Sequence, residues 1–583
     1  MNEPPEERAA RHEIPGPPPK ETASAEGSGT HPGTARWWGW GEMDRRFPAE
    51  RLARIRTFLH HRLGVPREGA GGPPPSLHAW KIPPSRVSPE LVSRLRDSLP
   101  QGAVSAEGEE RLLHSFGRAY MDLLALRHGQ IQHLTDLVAH PASIPEILAT
   151  LRFAEENDLA VVPWGGGTSV VGGVAPTEDS HHGVITLSMG RFTDPISLDL
   201  PSRLARFQCG IRGPELESYL SARGTTLGHF PQSFEYSTLG GWLSTRSSGQ
   251  ASTRYGDPSH RLRGAKVVTP RGVVSWEQGV AGASGPDLSG IFLGNEGTLG
   301  IFAEATMAVD LAPAASWITV LLFPDWYAGV EAIRTLAQSA PTPAILRLSD
   351  REETELTMEG RAPAAGLGGK IRDRLGPRIL ELRKMDPESL CLAVVGYEGT
   401  EGEVRRGFEV LKDVCRAAGA VDLGRPAGEA WRAERFLLPF LRDDLLTDGW
   451  LVETLETGAS WTDIGPLAHA VQEALQAAAR KEKFPLFVGT HLSHAVPEGS
   501  GLYFSLIAPQ FPHREEQQWT ALKEAATGAL LRSGGLLSHH HGIGGLHRPW
   551  MRSARGEISL GALEALKAYF DPHRIMNPGK LLP

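Results

Sequence analysis

The sequence predicts an α+β protein: a turn-rich first half and a second half built on an antiparallel sheet backed by helices. Three observations predict it. Between about 137 and 310, short apolar runs and helical patterns end repeatedly in glycine-rich turns. From about 315 the rhythm changes to apolar strands separated by amphipathic helices. The 583 residues, 40% hydrophobic and 22% charged, are enough for two or more domains with a large core.

The elements follow in order. Residues 1–35 are rich in Pro, Gly, Glu and Ser, with little apolar surface to bury, and are expected to be a disordered tail. A helical and loop segment over 36–136 opens on the aromatic run RWWGWGEMDRRF (Arg36 to Phe47), expected to dock onto the body, and is loop-rich over 66–106. Over 137–312, a helix at 143–157 places Ile144, Ile147, Leu148, Leu151 and Ala154 on one face. Strands are expected at Leu159–Pro163, Val184–Leu187 and Leu204–Cys209, a helix from Pro214, and a hairpin within Val267–Trp276. Over 313–510 the strands are Trp317–Phe323, Ala344–Leu348, Leu390–Tyr397, one near Val421, Trp450–Leu455, 485–492 and 501–508. Helices at 327–338, 402–417 and 462–481 separate them. A C-terminal helical segment over 511–583, with helices near 512–533 and 559–569, carries SHHHGIG.

Composition excludes several classes. A net charge of −8 without a strong basic block argues against nucleic acid as a partner. No apolar run is long enough to span a membrane, and the N-terminus lacks a secretory pattern. The C-terminus, Lys580-Leu581-Leu582-Pro583, is not a peroxisomal tripeptide. Three scattered cysteines, Cys209, Cys391 and Cys415, fit a reducing compartment and no disulfide framework. A cytoplasmic protein is expected.

The sharpest chemical signal is VVPWGGGTSVVGGV, Val161 to Val174, a strand running into glycines. Such backbone can approach and cradle a pyrophosphate. It is neither a Rossmann nor a Walker loop, and an ordinary turn remains the alternative. Two further loops, GHFPQSFEYSTLGGWLSTRSSGQASTRYGD (Gly228 to Asp257) and FLGNEGTLGIFAEATM (Phe292 to Met307), repeat the glycine and hydroxyl theme. The run Ser538-His539-His540-His541-Gly542-Ile543-Gly544 leaves three readings open: a solvated loop, a metal site or a catalytic centre.

The three loops, in this order, resemble the FAD-binding domain of the vanillyl-alcohol oxidase (p-cresol methylhydroxylase, PCMH-type) superfamily. The resemblance implies a two-subdomain FAD-binding domain plus an antiparallel-sheet cap covered by helices. It implies cofactor contacts from Pro163, Trp164, Gly165, Gly166, Gly167, Thr168 and Ser169 in the first loop. The second loop offers Gln232, Ser233, Phe234, Glu235, Tyr236, Ser237 and Thr238, then Thr245, Arg246, Ser247 and Ser248. The third offers Asn295, Glu296, Gly297, Thr298, Leu299, Gly300 and Ile301. Some members tether FAD covalently to His or Cys; here His181 and His182 lie outside the glycine core and Cys209 in a strand, so non-covalent FAD is expected.

The chain lacks the Gly-Asp-Gly-Asn piece of the D-2-hydroxyacid dehydrogenase branch. WWGWG, RLLHSFGRAYMDLLALRHGQI, LRLSD, LPFLRDDLL, ETLETGASW, SGLYFSLI and LSHHHGIGGLHRPW, in that order, are similar instead to the alkyldihydroxyacetonephosphate synthases. That resemblance implies exchange of an acyl chain for a fatty alcohol without net oxidation, phosphate and long-chain lipid substrates, a peripheral membrane surface and a homodimer. It implies catalytic roles for Tyr503, His539, His540 and His541, substrate binding by Arg442 and Arg347, and no metal. Departures are present: Gly545 stands where a Lys is usual, with Arg548 the nearest substitute, and Ser289-Gly290 stand where His-His is usual. Two competing readings are a flavin oxidase or dehydrogenase of a hydroxy acid or alcohol, and a scaffold that has lost catalysis.

Overall fold

The computed structural model describes residues 36–65, 72, 76–77, 80–129, 131, 133–177, 181–277, 280, 282–283, 285–361 and 385–583. The expected disordered tail and the Pro-Pro-Pro stretch lie outside the described residues. Among the described residues the first half holds two larger sheets and a two-stranded pair. One joins Val104–Ser105 (β1), Leu137–Ala139 (β2), Leu159–Trp164 (β3) and Gly183–Ser188 (β4) in the order β1-β2-β4-β3, with β2, β4 and β3 parallel. The connection from β2 to β3 is the helix Ile144–Glu156, whose N-cap Ser143 accepts the Glu146 N–H. Its Ile147, Leu151 and Ala154 are buried, as the helical period requires.

The second sheet is antiparallel. It orders Pro195–Asp199 (β5), Leu204–Gln208 (β6), Leu262–Thr269 (β8), Gly272–Glu277 (β9) and Ile301–Ala308 (β10) as β5-β6-β10-β8-β9. The short Thr225–Thr226 (β7) and Asp310–Leu311 (β11) pair beside it. The C-terminal segment returns to the first sheet: Val161 N donates to Ile575 O at 2.7 Å and Asn577 N to Val161 O at 2.8 Å. The sequence reading leaves this edge contact out because DPHRIMNPG has no strand pattern.

The second half is one seven-stranded antiparallel sheet. Its strands are Ala315–Phe323 (β12), Ile345–Ser349 (β13), Cys391–Gly399 (β14), Val421–Asp422 (β15), Trp450–Ser460 (β16), Phe487–Val496 (β17) and Gly499–Pro509 (β18), ordered β15-β12-β14-β13-β17-β18-β16. Several elements run past their expected bounds, β17 to Val496, β18 to Pro509 and β14 to Gly399 among them. β16 continues past Leu455 to Ser460, still paired residue for residue with β18. The last helix runs Met551–Phe570, interrupted at Gly556, whose φ of 74° no helix contains.

Period-2 alternation divides this sheet. Leu348, Leu492, Leu502, Phe504 and Leu455 are 0–3% exposed and belong to the core that also takes in Leu467, Val471 and Leu522 of the covering helices. The register sets Ser349 opposite His491, His491 opposite Tyr503, and Tyr503 opposite Glu456, so all four share the other face. Arg347 and Thr454, two residues from Ser349 and Glu456, lie on it too. The expected docking of the aromatic run is observed: Trp37, Trp38, Trp40 and Phe47 are all buried. Asp443 Oδ2 accepts Trp40 N at 2.6 Å and Arg36 Nη1 at 3.2 Å.

Candidate active site

The polar face of the cap sheet gathers an aromatic and imidazole stack. His491 and Tyr503 lie 4.8 Å apart between ring centres, at 22°. His540 is roughly parallel to Tyr503 at 6.2 Å, and His541 meets Tyr503 edge-on at 5.5 Å. His494, in the left-handed region at φ 56° where β17 is irregular, stacks on His539 at 5.7 Å. His494 Nδ1 also meets the Gly249 carbonyl at 2.9 Å, which ties the cap to the second glycine-rich loop.

Two carboxylates hold the histidine loop by its backbone. Glu456, from the part of β16 beyond its expected end, accepts His539 N at 2.6 Å, His540 N at 3.2 Å, His541 N at 3.0 Å and the Ser538 hydroxyl at 2.5 Å. Glu296, from the third glycine-rich loop, accepts Ile543 N at 2.7 Å and Gly544 N at 2.6 Å. Its φ of 50° is unusual for a residue with a Cβ. Gly544, at φ 54°, has no room for a side chain, since a Cβ would lie 2.2 Å from Val171 O. The loop is therefore clamped between the two domains.

Protonation follows from this packing. Burial lowers His540 to about 3 and His541 to about 4, with Glu456 pulling the other way. Burial also lowers His491 and His494. At pH 7 these four imidazoles are neutral. Burial raises Tyr503 to about 12, so its phenol keeps its proton. Burial opposes the Glu456 charge, whereas the three loop N–H groups and the Ser538 hydroxyl favour it and hold the carboxyl below the usual range; the neighbouring His540 and His541 imidazoles, being neutral at pH 7, add no positive charge there.

The two expected substrate arginines differ. Arg347 Nη2 is bonded to Glu353 and lies 3.1 Å from His491 Nδ1, while Glu353 Oε2 is 2.8 Å from the same nitrogen. When that nitrogen donates to Glu353, His491 Nε2 is left as an acceptor. Arg347 thus orients Glu353, which in turn holds the ring that stacks on Tyr503. Arg442 gives only Nη1, to Arg118 O at 2.8 Å; its Nε and Nη2 are buried without a hydrogen-bond partner. Arg442 is near enough to Tyr503 to bias the phenol electrostatically. At Gly545 an added Cβ would lie 3.6 Å from Lys580 Nζ, so the nearby cation comes from the C-terminal segment. Arg548 opens the short turn Arg548–Trp550 just beyond.

Glu456, His539 and His540 also hold ligand atoms within 4.8 Å of one another, a possible cation group by distance. Both Glu456 oxygens already accept N–H donors there.

The three glycine-rich loops converge. A Cβ at Gly165 would lie 2.4 Å from Thr238 Oγ1, one at Gly166 1.8 Å from Tyr236 O, and one at Gly297 2.9 Å from the Pro163 ring. Gly167, at φ 65°, rests on the Trp164 ring. The result is a bed of backbone from three chain segments; in the second of these loops Ser248 Oγ is buried without a partner. These features fit an extended dinucleotide such as FAD.

Many side chains of the expected cofactor set also have protein partners. Thr238 caps the helix Leu239–Thr245, Ser237 accepts Trp242 Nε1 at 2.7 Å, and Gln232 donates to Arg435 O at 2.7 Å. Glu235 pairs with Arg45 at 2.7 Å, Tyr236 accepts from Arg45 at 3.2 Å, and Phe234 stacks on Phe436. Thr245 bonds Gly241 O, Ser247 approaches His229, and Asn295 accepts Gly297 N at 2.5 Å. Thr298 bonds Asn295 O, while Leu299 and Ile301 are core residues. Ser169 accepts Gly173 N at 2.9 Å. Arg246 takes a left-handed C-cap beside Gly294. Thr168, Ser233 and Gly300 complete the same turns.

Sequence reasoning missed Glu456 and the latch role of Glu296. ETLETGAS shows a carboxylate every third residue, and only the cross-strand register reveals that Glu456 faces Tyr503 while Glu453 faces Trp519.

Comparison with known proteins agrees with this architecture. Residues 135–276 match the FAD binding domain family and residues 312–581 the family of FAD linked oxidases, C-terminal domain. The alkyldihydroxyacetonephosphate synthase of Dictyostelium discoideum is 31% identical over 94% of this chain and 93% of its own. A solved structure titled alkyldihydroxyacetonephosphate synthase superposes with a TM-score of 0.79 at 28% identity, covering 94% of this chain and 99% of that one. In fold alone, p-cresol methylhydroxylase is similar at a TM-score of 0.62 and 15% identity over 84% of this chain and 96% of its own. The chain belongs to the alkyldihydroxyacetonephosphate synthase family of FAD-linked proteins.

Proposed function

We propose that this chain exchanges the acyl chain of acyl-dihydroxyacetone phosphate for a fatty alcohol, yielding the ether and a free fatty acid without net redox. The observation that carries the reading is Tyr503 stacked among neutral His491, His540 and His541, with the unspent Arg442 guanidinium within electrostatic reach. Arg442 binds the phosphate, and its fork suits a phosphate dianion. Protonated Tyr503 is a donor to the departing carboxylate oxygen. The adjacent imidazoles return that proton from the incoming alcohol, so the chain ends in its starting state. FAD, when bound, supplies an electron-pair donor and acceptor that regains its initial oxidation state. His539 holds His540 in register, and Arg347, through Glu353, holds His491.

Non-covalent FAD is part of this reading. Cys209 is buried with its amide bonded to Ala303 O, and His182 is exposed beside Asp158. A homodimer meeting long-chain substrates at a membrane surface belongs to it too; no described helix is long and apolar enough to cross a membrane. Sedimentation and vesicle flotation test those two points.

The deciding assay gives FAD-loaded protein palmitoyl-dihydroxyacetone phosphate and hexadecanol. Ether product and palmitate in equal amounts, without oxygen uptake, are expected. Intact substrate, with flavin bleaching by a hydroxy acid, would replace this reading by an oxidoreductase. His540→Ala is expected to abolish turnover with FAD retained.

A further inference from the structure

Four guanidinium groups surround Asp443. Arg36 Nη1 takes its Oδ2 at 3.2 Å, and Trp40 N takes the same oxygen at 2.6 Å. Arg127 donates to the Asp443 carbonyl at 3.2 Å and to Thr447 Oγ1 at 3.2 Å. The remaining two are Arg442 and Arg118. Arg442 keeps Nε and Nη2 unpartnered, and its nearest carboxylate oxygen, Asp443 Oδ1, is 3.9 Å away.

Arg118 sits between the two halves of the site. Its N–H donates to Ser169 O at 2.6 Å, at the end of the first glycine-rich loop. Its carbonyl receives Arg442 Nη1 at 2.8 Å. Gly117 makes this approach feasible, since a Cβ there would lie 2.5 Å from Ser169 O. The Arg118 side chain donates Nη1 to Gly117 O at 2.8 Å, and among the described residues it forms no ion pair. The carboxylates in electrostatic range are Asp443, whose Oδ2 is taken by Arg36 and whose Oδ1 makes no hydrogen bond, and Asp122, whose Oδ2 makes none. Asp444, half-buried, accepts Phe47 N at 3.3 Å. Four cations thus face three carboxylates, one charge short, and Arg442 and Arg118 are the two whose guanidinium groups no carboxylate takes at hydrogen-bond distance among the described residues. Enclosed cations without counterions are costly unless an anion joins them.

We propose that Arg118 is the second guanidinium of the anion site, taking a phosphomonoester dianion together with Arg442. The proposal rests on the reading that Arg442 holds the substrate phosphate. Two cations match a dianion, whereas one would suffice for a carboxylate. Arg118, pinned to the first glycine-rich loop, fixes where the three-carbon unit lies relative to that loop, and Arg442 fixes it relative to Tyr503.

The test uses FAD-loaded wild type, Arg118→Ala and Arg118→Lys. Calorimetry measures sn-glycerol 3-phosphate binding, and steady-state assays compare acyl-dihydroxyacetone phosphate with its dephosphorylated form. Arg118→Ala is expected to weaken glycerol phosphate binding and raise the KM for the phosphorylated substrate about 10- to 100-fold, the range for losing a charge-assisted contact. The dephosphorylated form and FAD content should not change, and Arg118→Lys should recover part of the loss. Equal glycerol phosphate affinity in all three proteins overturns the proposal. So does loss of FAD with unchanged glycerol phosphate affinity, which would assign Arg118 to the dinucleotide. Wild type that makes no ether yet binds glycerol phosphate through Arg118 removes the proposed function and leaves the anion site standing. If Arg118→Ala does not fold, the binding data on Arg118→Lys decide.

Discussion

Glu456 and Glu296 perform the same task from opposite domains, yet their charges are stabilised very differently. Each is buried and each accepts backbone N–H groups of the histidine loop. Glu456 accepts three N–H groups and the Ser538 hydroxyl, and its carboxyl is held below the usual range. Glu296 has two N–H donors and the more distant Lys580, and burial raises it to about 7. Desolvation is the leading influence on both, so the difference lies in how many groups favour the charged form. The cap-side anchor carries its charge at neutral pH, whereas the FAD-side latch titrates close to it.

Three substitutions or measurements sharpen that contrast. The largest effect is expected for Glu456→Ala, which strands three backbone donors and a hydroxyl. Stability should fall by about 3 kcal/mol or more and turnover at least about 100-fold, read by thermal unfolding and the exchange assay. Near-normal turnover would show that Glu456 does not set the loop.

Glu296→Gln keeps one acceptor for two donors, so a turnover loss of about tenfold with FAD retained is expected. The pH dependence is more telling. The folded-state value lies above the ordinary 4.5, so the native protein holds a proton that the unfolded chain has released. Wild-type stability therefore declines as pH rises from about 4.5 to about 7, and the Gln variant lacks that decline. Unfolding at pH 5 and pH 8 should show the variant gaining on wild type at the higher pH; a constant difference refutes the latch titration.

The smallest and most local change concerns the imidazoles. With burial holding His540 near 3 and His541 near 4, their ring proton resonances should not titrate between pH 5.5 and 8. A midpoint near the ordinary histidine value, about 6.5, would contradict the buried stack.

The sequence made the cap sheet legible because alternation is a local property: LYFSL already separates Leu502 and Phe504 from Tyr503. The glycine-rich loops were legible because several of their glycines have no room for a Cβ. Tertiary structure alone could show which side chains spend themselves on protein partners. Arg347 and Arg442 look equivalent in sequence, but one is tied to Glu353 and His491 and the other keeps buried, unspent donors.

By itself, then, the sequence determined the α+β class, the three backbone-lined loops, the Tyr503 strand and the histidine motif, because periodicity and glycine demand are written in neighbouring residues. The tertiary structure decided that Glu456 and Glu296 grip the histidine loop and that the C-terminal segment returns to β3. It also decided that Arg118 meets Arg442 across 324 residues of chain. Those are pairings between distant segments, fixed by strand register and domain docking, and no local pattern encodes them.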